Sequence, residues 1–125
     1  MAESLNEQGK LSEALGYVNM VRSRAGLGAV SAADKQKLQE IILRERRIEL
    51  GFENKRWHDL VRSGLAVSTM NAFGQKVKAN PGNYYYAAGN FPPPNTFNVT
   101  ENNLLLPIPV TEIITNPEMV QNPGY

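Results

Sequence analysis

Glu45 and Glu49 lie four residues apart in the stretch ILRERRIELGFENKRWHDLVRSG, residues 42–64, so a helix would carry their carboxylates one turn apart on a single face. Wound at about 100° per residue, the same helix places Leu38, Ile41, Ile42, Ile48 and Phe52 on one apolar stripe with the two glutamates in its middle. Three kinds of chemistry fit such a pair. A general acid/base couple of the glycosidase type needs carboxyl groups about 5 to 9 Å apart, a spacing this pair can reach. Those couples flank a substrate across an open cleft, however, whereas these two share one face hemmed by Ile and Phe. A di-metal carboxylate site needs Glu-x-x-His pairs on facing helices, and the single histidine, His58, stands at no such spacing. The third kind is a structural ion network, the preferred reading.

Like charges at i and i+4 repel, so Glu45 and Glu49 weaken their helix unless donors answer them. Arg46 can reach Glu49, and Glu40 with Arg44 makes a favourable pair, but these arginines lie toward the flanks. An unpaired buried charge costs several kcal/mol. Partners must therefore come from other segments, and Arg22, Arg24, Arg56 or the backbone N–H groups opening the next helix are the candidates. The resulting ion network comprises Glu45, Glu49, Arg46 and Arg56.

Other chemistry is thinner. The absence of cysteine removes disulfides and thiolate metal sites. A nucleophile elbow and a glycine phosphate fingerprint are both missing, so no catalytic residue, cofactor or metal is assigned. Trp57 sits on the inner stripe of a short helix, where core packing outweighs a sugar platform. Tyr84, Tyr85 and Tyr86 cannot all face one side of a loop, which makes them ligand candidates as much as buried aromatics.

The elements that must position these residues read as follows. A short helix over residues 2–8 closes at Gly9, and a second starts at an N-cap Ser12, carries Leu11, Ala14, Leu15, Val18 and Val21 at helical spacing, and closes at Gly26. The two form a hairpin of the tetratricopeptide kind. Ser31 with Asp34 is a capping-box variant opening a long helix that lasts to about Glu53, with Asn54 as a left-handed stop. A short helix carries KRWHDLVRSG. Residues 65–125 then read as an irregular Asn/Gly/Pro-rich wrap, ending in a one- or two-turn helix capped by Thr111 and stopped by Asn116-Pro117. The fold class is mainly α, one domain with a helical part over 1–64.

At 125 residues and a formal net charge of +1, with basic residues interleaved among Glu, the chain projects no field that would recruit nucleic acid. No apolar run approaches the ~20 residues of a membrane span, and no signal peptide or lipid-anchoring Cys opens it, so the chain alone is expected to be soluble.

The segments AESLNEQGKLSEALGYVNMVRSRAGL, LRERRIELGFENKRWHDLVRSG and LLLPIPVTEIITNPEMVQNPGY, in that order, resemble the C-terminal part of SusD/RagB-family proteins. Each of E-R-R-x-E-L, R-W-x-D-L, L-x-P-I-P and Q-N-P-G-Y is weak alone, and the combination is specific. The resemblance implies a non-enzymatic, surface-exposed lipoprotein of Bacteroidetes-type outer membranes. Such a parent protein binds glycans or other nutrients and works with a SusC-like TonB-dependent transporter, with this region as helical scaffold. Asn54 stands where the family often has Gly and His58 where an aromatic is common. Against this stand a helical hydrolase-like domain using Glu45 and Glu49, and a free-standing helical interaction module. The resemblance also implies that Met1 falls partway through a helix. Leu5, Leu15, Val18 and Ile41 would then lack neighbours, which favours self-association through that patch.

Overall fold

The computed structural model describes every residue except Tyr85 and Ala88. It contains six α-helices among the described residues: α1 Ala2–Glu7, α2 Leu11–Arg24, α3 Lys35–Glu49, α4 Arg56–Arg62, α5 Ala66–Ala79 and α6 Val110–Thr115. Two 3₁₀ turns, Pro81–Asn83 and Glu101–Leu104, complete the regular structure. The protein is therefore mainly helical. Among the described residues no helix is long and apolar enough to cross a membrane. The chain divides into two compact units, Met1–Asp59 and Leu60–Tyr125.

In the first unit, α1 and α2 form the expected hairpin. Gly9 takes a positive φ of 77°, which lets Lys10 N–H reach the Leu5 carbonyl at 2.9 Å and Gly9 N–H the Asn6 carbonyl at 3.0 Å. This double closure satisfies the last carbonyls of α1. It also delivers the chain straight into α2, whose first turn is bonded from Ala14 N–H back to the Lys10 carbonyl. The helix thus begins at Leu11 without a side-chain cap, and Ser12 lies inside it rather than at its N-cap.

The connector doubles back along α2. Asn19 pairs its side-chain amide with both backbone groups of Val30, at 2.9 and 3.1 Å, and Arg22 Nε donates to the Gly28 carbonyl at 2.8 Å. Because the connector returns, α3 runs parallel to α2, and Ala14 and Val18 meet Leu38 and Ile42 in the core. Asp34 alone caps α3, accepting from Lys37 N–H at 2.7 Å, while Ser31 stays in the connector. Asn6, fully buried, donates to the Lys35 carbonyl and to Gln39 Oε1, tying α1 to α3.

Leu5 and Val18 are buried, and Leu15 and Ile41 pack half-buried against them. The patch expected from these four residues is therefore not exposed, because the returning connector and α3 cover the hairpin, with Val30 and Ala32 packed on the same core.

The end of α3 differs from the reading of its sequence. The helix stops at Glu49, four residues early, beside the last residue of α2, to which Glu49 is paired. Ile48 is 63 % exposed and Phe52 fully so, neither on a buried stripe. Asn54 does take the left-handed conformation, φ 56°, that asparagine tolerates and glycine favours.

The second unit contains a helix, α5, within the stretch whose composition predicts irregular chain. α5 buries Ala66 and Val77 and half-buries Met70 and Phe73, a spacing of one apolar residue per turn. Gly74 sits within it, where an added Cβ would lie 2.4 Å from the Cβ of Phe97. The remaining irregular chain is held by side-chain amides acting as strand partners. Asn71 bonds the N–H and the carbonyl of Val99, both at 2.8 Å, and Gln121 bonds those of Ile108 at 2.8 and 2.9 Å. Asn122 Nδ2 donates to the Leu106 carbonyl and the Tyr125 hydroxyl to that of Leu105. The LLLPIP and QNPGY segments are thus bonded to each other. Helix α6 starts after Pro109 with no side-chain cap, Thr111 lies in its first turn, and Asn116 ends it.

Candidate functional site

The parallel course of α2 and α3 brings arginines to the two glutamates. Arg22 Nη1 donates to Glu45 Oε1 and Arg24 Nη2 to Glu49 Oε1. The register follows from geometry: two residues along α2 against four along α3, with long flexible arginines taking up the difference. Enclosure divides the pairs. The Glu45 side chain is 13 % exposed and that of Arg22 18 %, whereas Glu49 is 41 % and Arg24 68 % exposed. Glu49 is therefore a surface ion and not a buried one, because α3 ends there and nothing further covers it.

Arg46 does not serve Glu49. It lies on another side of α3, near Leu43, and its Nε and Nη2 grip both oxygens of Asp59 at 3.0 and 2.9 Å. Asp59 is the enclosed carboxylate of this region, 4 % exposed. A planar guanidinium matched to both carboxylate oxygens is among the stronger pairings available to side chains. Sequence periodicity did not single Asp59 out, since it lies off the Trp57–Leu60–Val61 stripe; its only signal was the R-W-x-D-L motif. Arg56 also stands apart from Glu45 and Glu49, directing Nη1 to the Leu43 carbonyl at 3.5 Å. Its pKa is lowered, chiefly by partial burial and then by the charge of Arg47, against the opposing pull of Asp59.

A carboxylate already bonded to a guanidinium is poorly placed to shuttle a proton or attack an anomeric carbon, and that describes Glu45, Glu49 and Asp59 alike. Among the described residues no three His, Asp or Glu side chains group to hold a metal ion. Trp57 is half-buried and His58 exposed. Of the tyrosine run, Tyr84 is 38 % exposed and packs edge-on against Phe73, ring centres 5.5 Å apart. Tyr86 is half-buried and Tyr85 lies outside the described residues.

The motif segments and the helices that carry them match known proteins over the whole chain. The model of the SusD family fits residues 1–125, and the chain belongs to that family. It is similar to three proteins of Formosa agariphila: SusD-like protein P2 at 35 % identity, SusD-like protein P38 at 32 % and SusD-like protein P25 at 30 %. Each match covers 99 % of this chain and 22 or 23 % of the relative, so the chain spans less than a quarter of the length of these proteins. No solved structure matches it.

Proposed function

We propose that the chain is the C-terminal scaffold region of a SusD-like protein that binds a glycan or other nutrient at the bacterial surface and works with a SusC-like TonB-dependent outer-membrane transporter. The observation that carries this reading is the fit of the SusD family model across the full chain. The arginine-bonded state of Glu45, Glu49 and Asp59 supports a scaffold over a hydrolase, since ion pairs between helices fix helix register while removing the free carboxylate that hydrolysis requires. Tyr84 and Tyr86 are the described aromatic candidates for sugar contact, on the strength of partial exposure.

The test is to isolate the parent protein from outer membranes with its neighbours intact. Co-isolation with a TonB-dependent transporter, together with glycan retention and no release of reducing sugar, is the expected result. Turnover that disappears in Glu45→Gln would instead establish the hydrolase reading.

A further inference from the structure

The turn that follows α3 leaves a pocket of about 280 Å³, near the lower end of small-molecule sites. Its wall carries Arg46, Arg47, Lys55 and Arg56 against the single carboxylate of Asp59, four cations to one anion and thus an excess of three positive charges. Asp59 is already occupied by the fork of Arg46. Arg47 and Lys55 stand exposed, and Arg56, half-buried, lines the same pocket. An excess of cations on one wall favours an anion among them; the Arg56 pKa is lowered first by burial and only then by the charge of Arg47, and a bound anion would offset that second effect.

The second observation is the rim. Phe52 lines this pocket, is fully exposed, and takes a φ of 67°. That conformation is sparsely populated by bulky residues, and local backbone strain of this kind concentrates at binding sites. A flat apolar ring held out beside cationic forks suits a ligand with an apolar ring face and an acidic substituent.

The geometry points to an anionic saccharide as the ligand of this pocket, its carboxylate or sulfate group between Arg47, Lys55 and Arg56 and its ring against Phe52. This rests on the saccharide-binding reading above and narrows it to an acidic class bound in the first unit. Guanidinium and ammonium donors meet such oxyanions through charge-assisted hydrogen bonds, and aromatic faces pack on the C–H side of sugar rings as apolar surface.

Isothermal titration of the 125-residue chain tests the assignment, with tetragalacturonate, a sulfated galactose tetramer and neutral maltotetraose as saccharide probes, and sodium acetate and a poly-glutamate peptide as controls. The acidic tetramers should bind about tenfold or more tighter than the neutral one, with affinity falling as salt rises. The uronate and sulfate arms separate the two acid types. Arg47→Ala and Lys55→Ala should each weaken the acidic tetramers about tenfold. Phe52→Ala should weaken the tetramers and leave acetate unchanged. These three side chains are exposed, and thermal melts of the variants verify that folding is retained. Equal binding of neutral and acidic tetramers, insensitivity to these substitutions, or preference for poly-glutamate would overturn the pocket assignment. Maltotetraose bound without acid preference would leave the saccharide reading standing, and transporter co-isolation tests that reading independently.

Discussion

Removing the carboxylates around α3 one at a time should give a loss of stability graded by enclosure. Asp59 is 4 % exposed and bonded through both oxygens, so Asp59→Ala leaves Arg46 with two unanswered donors. Breaking a fully buried pair costs about 3 to 5 kcal/mol. The Arg46 side chain is 37 % exposed, which lets water recover part of that, and the expected loss is about 2 to 3 kcal/mol. Glu45→Ala, in a pair exposed by 13 and 18 %, should cost about 2 kcal/mol. Glu49→Ala should cost about 0.5 kcal/mol, because its pair is open to water and screened by salt. Trp57, the only tryptophan, lies in the same unit as all three carboxylates and reports its unfolding by fluorescence in urea. With a slope of about 1.5 kcal/mol per molar urea, the midpoint should fall by about 1.5 M for Asp59→Ala and by about 0.3 M for Glu49→Ala. A double-mutant cycle with Arg46→Ala isolates the pair. Equal losses at Glu49 and Asp59, or none at Asp59, would refute the argument that enclosure sets the magnitude.

Three further outcomes follow from the packing. Gly74→Ala should destabilise the second unit by about 1 to 3 kcal/mol, seen as a lower thermal midpoint, since the new methyl would meet the Phe97 Cβ and its carbonyl oxygen. Asn71→Ala removes both partners of the Val99 backbone and should cost about 2 kcal/mol, with faster hydrogen exchange at the Val99 amide. Leu5→Ala should cost about 2 to 3 kcal/mol in a urea titration, as expected of a side chain 9 % exposed within the core.

Much of the helical part was legible because its signals are local. Gly9 and Gly26 close their helices where the chain reverses, and Asn54 takes its left-handed turn. α5 was not legible, although Ala66, Met70, Phe73 and Val77 recur at helical spacing, because the Asn/Gly/Pro-rich character of residues 65–125 as a whole points to irregular chain, and Gly74 lies within the helix. That glycine answers to Phe97, more than twenty residues away, and no local rule contains that contact. The structure likewise reassigned Arg46, whose partner Asp59 is thirteen residues on. Helical spacing alone offered Glu49, which lies nearer in sequence.

The sequence by itself determined that the chain is mainly helical, that Glu45 and Glu49 need cations from outside their helix, and which family its motifs resemble. The first two follow from residue type and short-range spacing, where steric and charge rules act within a turn or two; the resemblance rests on the combination and order of motifs along the chain. Only the tertiary structure decided which carboxylate is enclosed, which arginine meets it, and which apolar side chains are covered. Enclosure depends on where a neighbouring element ends: α2 stops at Arg24, α3 stops beside it, and so Glu49, Ile48 and Phe52 face water while Glu45 does not.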